Sequence, residues 1–212
     1  MGTVTELATV ALTGTKIRTG GPLLITHWGL SGPAILRLSS HAARILHERN
    51  YHTVISVNWT GMKEAEVREM LTDMTLTHPK QQLTTHALPG LTQRLWNYLA
   101  EKSLGGKAGG RWGDLGKKDL YRLTNSLTAD DITMTGRAPF RDEFVTCGGV
   151  SLSGIHPTTM ESRHRKGLFF AGEVLDIDGV TGGFNFQAAW TTAFVAAQAI
   201  STASAPPVPC QS

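Results

Sequence analysis

The spacing of apolar residues changes twice along this chain, from every second residue to every third or fourth near Met62 and back again near Thr128. A chain so patterned must hold a helical insertion between strand-rich segments. Before the first switch, Val4, Ala8, Val10 and Leu12 fall on one face of a first strand. Residues 22–28 (PLLITHW) read as a second, and residues 52–59 (HTVISVNW), with Ile55, Val57 and Trp59 in phase, as a third. Gly32-Pro33 introduces a helix between the last two, because proline fits a first helical turn where its missing N–H is no loss. The buried stripe of that helix is predicted to be Ile35, Leu38, Ala42, Ile45 and Leu46.

Inside the insertion, three helices are predicted from Val67, Met70, Leu71 and Met74, then Leu91, Leu95 and Leu99, then Leu120, Leu123 and Leu127. Pro79 and Pro89 punctuate the first gap and the glycine-rich residues 104–116 form the second. Strand pattern returns with DITMT (131–135) and EFVTC (143–147). Further on, GLFFAGE (167–173) has the form of a buried parallel strand ending in a small-residue turn. A glycine-rich loop follows, then FNFQAAWTTAFVAAQAI as a helix, and a Pro/Ser-rich tail from residue 202 expected to be disordered.

Composition narrows the function classes. With 41% hydrophobic and 17% charged residues the chain is an ordinary folded protein, and it lacks both a membrane-length apolar run and the basic-then-apolar start of a secretion signal. A cytoplasmic protein without a membrane partner is expected. The two cysteines, Cys147 and Cys210, suggest neither a disulfide framework nor a thiolate metal site. Positive charge is spread out, with 17 Lys/Arg against 13 Asp/Glu in residues 1–150 and 3 against 4 in the remainder. The only compact basic run, Arg163, His164, Arg165 and Lys166, reads as a solvated loop, so no nucleic-acid partner is expected.

The chemistry concentrates in residues 167–190 (GLFFAGEVLDIDGVTGGFNFQAAW). A strand, an AGE turn and Gly182-Gly183 at a helix entrance put backbone N–H groups and the positive end of a helix toward a ligand. Such an end stabilises negative charge, which in a reduced flavin lies over the pyrimidine ring. Gly182 and Gly183 permit close backbone approach, and Glu173 is placed to accept hydrogen bonds from ribityl hydroxyls. A double glycine before a helix, taken alone, is equally a tight strand-to-helix turn. What shifts the balance is a resemblance, carried by the whole string together with residues 25–33 (ITHWGLSGP) and with Gly148-Gly149-Val150-Ser151-Leu152 followed by Thr159-Met160-Glu161-Ser162.

Together these three blocks resemble the BaiN-type flavoproteins, NAD(P)/FAD-dependent oxidoreductases related to aminoacetone oxidase, over nearly the whole chain except its tail. The resemblance implies an α+β chain, with residues 1–62 and 130–147 as a β-barrel-like subdomain and 63–129 as a helical-bundle insertion. Residues 148–201 would be the C-terminal strand-loop-helix part of an FAD-binding α/β domain, and 202–212 a tail. It implies FAD as cofactor, NAD(P)H as a possible reductant, a small-molecule substrate, and a flavin site at Gly148, Gly149, Gly172, Glu173, Gly179, Thr181, Gly182, Gly183, Phe184 and Asn185. No catalytic acid or base is assigned, and no metal site.

Family members begin with a strand and a G-x-G-x-x-G turn that holds the pyrophosphate. The only similar text here, residues 105–110, follows a helix rather than a strand. The expectation is therefore a truncated chain, or one whose Rossmann half is another polypeptide. The alternative is a catalytically silent fragment acting as a protein-interaction module. Among the other candidates, His27 reads as a hydrogen-bonded structural residue and Asp176 and Asp178 as turn residues. Ser31 resembles a nucleophile elbow only superficially, having no triad partners that can be assigned.

Overall fold

A computed structural model describes residues 2–138, 145–180 and 182–204, which fall into two compact units, residues 1–140 and 141–212. The chain is α+β. The first unit is built on a five-stranded antiparallel sheet of order β3-β2-β1-β4-β5, comprising β1 (Thr3–Leu12), β2 (Arg18–Thr26), β3 (Gly29–Ser31), β4 (Thr53–Asn58) and β5 (Asp130–Met134). All three strands expected before Met62 are present, but residues 22–31 form more than one element. The chain folds back at His27-Trp28, so that Thr26 pairs with Gly29 and Leu24 with Ser31. Gly29, at φ +146°, supplies the conformation that closes this two-residue turn.

One expected face of β1 is corrected. Ala8, Val10 and Leu12 are buried as the alternation predicts, whereas Val4 is exposed and Thr5 is buried in its place. The register explains this: Thr5 faces Leu23 and Ala8 faces Gly21, so three steps on β1 match two on β2. A β-bulge of this kind swaps the faces of everything before it. Thr5 tolerates its burial because its hydroxyl donates to the carbonyl of Trp59 at 3.0 Å.

Pro33 opens α1 (Pro33–His41), and the helical run breaks at Ala42 before α2 (Ala43–Glu48). Ala34, Leu38, Ala42 and Leu46 are buried at spacing four, while the expected Ile35 and Ile45 are only partly buried on the flank of that stripe. The insertion contains the three predicted helices, α3 (Glu64–Thr77), α4 (Gln93–Leu104) and α5 (Lys117–Thr128). Each start is capped: the Glu66 carboxylate accepts from the Lys63 N–H, Thr92 Oγ1 from Leu95 N–H, and Asp119 Oδ2 from Gly116 N–H. Leu91 is buried but precedes α4, whose inner face is Leu95, Trp96, Leu99, Ala100 and Leu104. Between α4 and α5 the glycine-rich segment makes two short 3-10 turns, residues 105–107 and 112–114. Trp112 at the second stacks on Trp96 with ring centroids 6.0 Å apart, and the Trp96 indole N–H donates to the Leu83 carbonyl at 2.7 Å. The sheet, α1 and the three helices thus share one apolar core.

The second unit is smaller, and two strand expectations fail there. In EFVTC, Glu143 and Phe144 lie outside the described residues, and residues 145–147 are not strand. GLFFAGE does not form a ladder either: it makes one bridge, Glu161 with Phe169, and Leu168 is exposed while Phe169 and Phe170 are partly buried. An apolar run becomes a strand only when neighbours supply its hydrogen bonds, and this unit supplies few. Instead the unit is held by Val150 pairing in parallel with Leu175, by Ile155, Met160, Leu175 and Ala196 as a small core, and by α6 (Phe184–Ser204). The helix runs to Ser204, into the stretch expected as tail; residues 205–212 lie outside those described.

Candidate functional site

The glycines singled out in the sequence divide by what surrounds them. At Gly148, Gly172, Gly182 and Gly183 an added Cβ would meet no atom within 4 Å, and the first three have positive φ. These positions present bare backbone with room beside it, which suits close approach by a planar ligand. At Gly149 a Cβ would lie 2.6 Å from the Val174 carbonyl, so this glycine lets residues 149–150 pack against 174–176. The backbone bonds Val150 N to Val174 O at 2.8 Å and Asp176 N to Val150 O at 3.0 Å complete that contact.

Helix α6 begins at Phe184, directly after the double glycine, with Gln187 N–H closing on Gly183 O at 2.9 Å. The amides of a first turn have no acceptor within their own helix. Asn185 clamps the preceding loop: its Oδ1 accepts from Gly179 N–H at 2.7 Å and its Nδ2 donates to Gly179 O at 3.2 Å. The Thr192 hydroxyl accepts from Gly172 N–H at 3.0 Å, which ties the AGE turn to the third turn of the same helix. Glu173 is exposed and Thr181 lies outside the described residues. The Gly179 loop and the AGE turn are therefore each held to α6 by this unit's own hydrogen bonds.

The other features resolve as structure. Ser31 is a strand residue paired with Leu24, and Gly32 packs so closely that a Cβ would sit 2.9 Å from the Pro22 carbonyl. Cys147 is exposed, and Cys210 lies outside the described residues.

Sequence reasoning missed a concavity in the first unit. A cavity of about 970 Å³ lies among the β2–β3 turn, β5 and α4, with His27, Trp28, Arg94, Tyr98, Lys102 and Asp131 in its lining. Asp130 also lines it and is almost fully buried, accepting from Trp59 Nε1 at 3.1 Å and from Lys102 Nζ. The available signal was the spacing of Arg94, Tyr98 and Lys102, which places one aromatic and two cations on a single helical face.

An α+β unit with an antiparallel sheet and an inserted helix, two turns and helix defines the class of this protein. Residues 4–145 match the family described as HI0933-like protein barrel and H2TH domain, and the chain belongs to that family. It is 34% identical over 83% of its length to the ribosomal RNA dihydrouridine synthase of Escherichia coli, covering 41% of that protein. The protein of the same name from Haemophilus influenzae is 32% identical over 84% of the chain, covering 42% of its own length. The 3-dehydro-bile acid delta(4,6)-reductase of Clostridium scindens is 29% identical over 93% of the chain, covering 49% of that protein. The chain thus spans between two-fifths and half of the length of these relatives.

Proposed function

We propose that this chain is the part of an FAD-dependent oxidoreductase that holds the isoalloxazine and ribityl end of the flavin, the returning FAD-domain segment being residues 148–201. The observation that carries the reading is the start of α6, where Gly182 and Gly183 offer open backbone immediately before the first-turn amides. Those amides and the helix dipole would orient the pyrimidine edge and stabilise its negative charge. Glu173, exposed on the AGE turn, would take the ribityl hydroxyls, and Asn185 would keep the Gly179 loop in place through its two hydrogen bonds. When bound, the flavin would supply two reducing equivalents drawn from NAD(P)H. The relatives' names support a substrate class: a dihydrouridine synthase and a delta(4,6)-reductase both add hydrogen across a carbon–carbon double bond conjugated to a carbonyl.

Pyrophosphate-binding residues of the G-x-G-x-x-G type would come from a second segment, and α6 is prepared for a neighbour. Phe186, Trp190 and Phe194, spaced by four, are 75%, 77% and 62% exposed. A contiguous apolar stripe of this kind marks an interaction face. The reading is tested by titrating the chain with FAD and following flavin fluorescence, alone and mixed with a polypeptide carrying the strand-GxGxxG-helix unit. Weak or no binding alone and stoichiometric yellow complex in the mixture is the expected result. No flavin binding in either case, or unchanged binding after Gly183→Val, would sink it. A colourless mixture that nevertheless forms a stable complex through α6 would favour the interaction-module reading.

A further inference from the structure

Counted along the sequence the positive charge of this chain is diffuse, but the fold gathers it. Residues 105–125, comprising the two short turns and most of α5, hold five Lys/Arg against two Asp, an excess equal to the formal +3 of the whole chain. Both aspartates are already engaged. Asp114 Oδ2 accepts from the Arg111 amide at 3.2 Å, and the buried Asp119 accepts from Lys107 Nζ and from the Gly116 amide. Among the described residues no ion pair engages Arg111, Lys117, Lys118 or Arg122. The exposed residues of α5 are Lys117, Lys118, Tyr121, Arg122 and Asn125, which fall on one helical face and include no carboxylate. The Lys107–Asp119 bond, 2.8 Å, holds the first turn against the start of this helix. That turn presents open backbone, since a Cβ added at Gly105, Gly106 or Gly109 would meet nothing within 4 Å. Helix α3, which packs on α5, has the opposite character: Glu64, Glu66, Glu69 and Asp73 are exposed, and its one arginine, Arg68, is paired with Glu64 at 3.5 Å. An extended anion is therefore attracted to α5 and repelled by α3.

We propose that the exposed face of α5, with the adjoining turns, binds the phosphate backbone of double-stranded nucleic acid through Lys117, Lys118, Arg122 and Arg111. An acidic protein surface would also answer the charge, but stable protein contacts are built on an apolar centre depleted of charge. The α5 face has only Tyr121 to offer. Single-stranded nucleic acid is held by several aromatics on which successive bases stack. The other rings near these turns, Trp96 and Trp112, are buried and stacked on each other. What remains exposed is a set of cations, an amide and a phenol on the convex surface of a helix, the donor types that contact phosphate and sugar without reading bases. The face lies in the first unit, whereas the flavin reading rests on the second, so neither depends on the other.

The test is the fluorescence anisotropy of a fluorescein-labelled duplex of about 20 base pairs, titrated with the whole chain between about 50 and 200 mM salt. Each phosphate contact contributes close to one unit of slope in log affinity against log salt, so the four cations predict a slope of about −3 to −4. The triple variant Lys117→Gln, Lys118→Gln, Arg122→Gln should lose about tenfold or more in affinity and about 2–3 units of that slope. A second triple, Lys16→Gln, Arg165→Gln, Lys166→Gln, removes the same charge from exposed positions outside the insertion and should bind as the unaltered chain does. All six side chains are exposed, so both variants should keep the circular dichroism of the unaltered chain, whose own salt slope needs no variant. Equal losses in the two triples would mean attraction to net charge alone and overturn the proposal. It is also overturned by tighter binding of a single strand of the same length, by displacement of the duplex by polyglutamate at equal charge concentration, or by no saturable binding at the lower salt. RNA and DNA duplexes of one sequence separate the two sources of this backbone: the tighter of the two identifies the partner, and either supports the proposal.

Discussion

The indole N–H of Trp59 donates to Asp130 Oδ2 at 3.1 Å, joining two residues 71 positions apart. Trp59 also receives the Thr5 hydroxyl on its carbonyl and gives its backbone N–H to Leu127 O, so β1, α5 and the start of β5 meet at one residue. Asp130→Ala would leave the buried indole N–H without an acceptor and Lys102 without its carboxylate. The expected loss is about 2–3 kcal/mol in urea unfolding, the range for an unsatisfied buried donor plus a broken charge-assisted bond. Lys102→Met should cost less, because the Lys102 side chain is 40% exposed and solvent screens its pairing.

Asp119 gives a pH dependence. Its carboxyl is held below the ordinary carboxylate range first by the hydrogen bond from Lys107, at 2.8 Å, and then by the Gly116 amide, with burial opposing both. A carboxylate whose folded pKa is depressed contributes stability that is present above its unfolded pKa, about 3.9, and is lost as pH falls through the lower folded value. Acid unfolding followed by circular dichroism should therefore show a loss beginning near pH 5 and continuing below pH 4. Lys107→Met should reduce that loss, and Asp119→Asn should reduce it further.

Gly61 permits the tightest approach of two backbone segments in the first unit. At φ +68° an added Cβ would fall 2.1 Å from the Leu7 carbonyl oxygen, at the bulge of β1. Gly61→Ala must move that backbone as well as strain its own, and the expected destabilisation is about 3 kcal/mol or more. Gly106→Ala, where the added Cβ meets nothing within 4 Å, is the matched control and should change the urea midpoint little.

The aromatic stripe on α6 predicts behaviour in solution. Phe186→Ser combined with Trp190→Ser should lower self-association of the isolated chain in sedimentation velocity. Unfolding of the first unit should not change, because no residue of its core is altered.

Periodicity disclosed the first unit well because its elements are buried on one face only. The stripes of α3, α4 and α5 are read directly from Val67, Leu71, Leu95, Leu99, Leu123 and Leu127, all of which are buried. What escaped were the features that break a period. The bulge between Thr5 and Ala8 exchanges Val4 for Thr5, and the turn at His27-Trp28 divides an apparently continuous strand. In the second unit the same reasoning overreached, since Leu168, Phe169 and Phe170 are apolar enough for a buried strand and yet make only a bridge. Apolar content indicates where a segment is stable, but a strand also requires hydrogen-bonding neighbours. The glycines at the entry of α6 were legible from the pattern, whereas the cavity was not. Arg94 and Tyr98 on α4 meet His27 and Asp131 there only because tertiary packing brings them together.

The pairing of β4 with β5 has a kinetic consequence. Val57 sits opposite Asp130, so the whole helical insertion is the loop that this pair closes. Closing a loop of that length in an open chain carries a large entropy cost before any contact repays it. Helices α4 and α5, joined by two short turns and packed on each other, make their contacts locally and shorten the distance between the loop ends. The insertion should therefore collapse first, and β5 should dock last. Substitutions in the α4–α5 pair are then expected to slow refolding, whereas substitutions in β5 should chiefly accelerate unfolding.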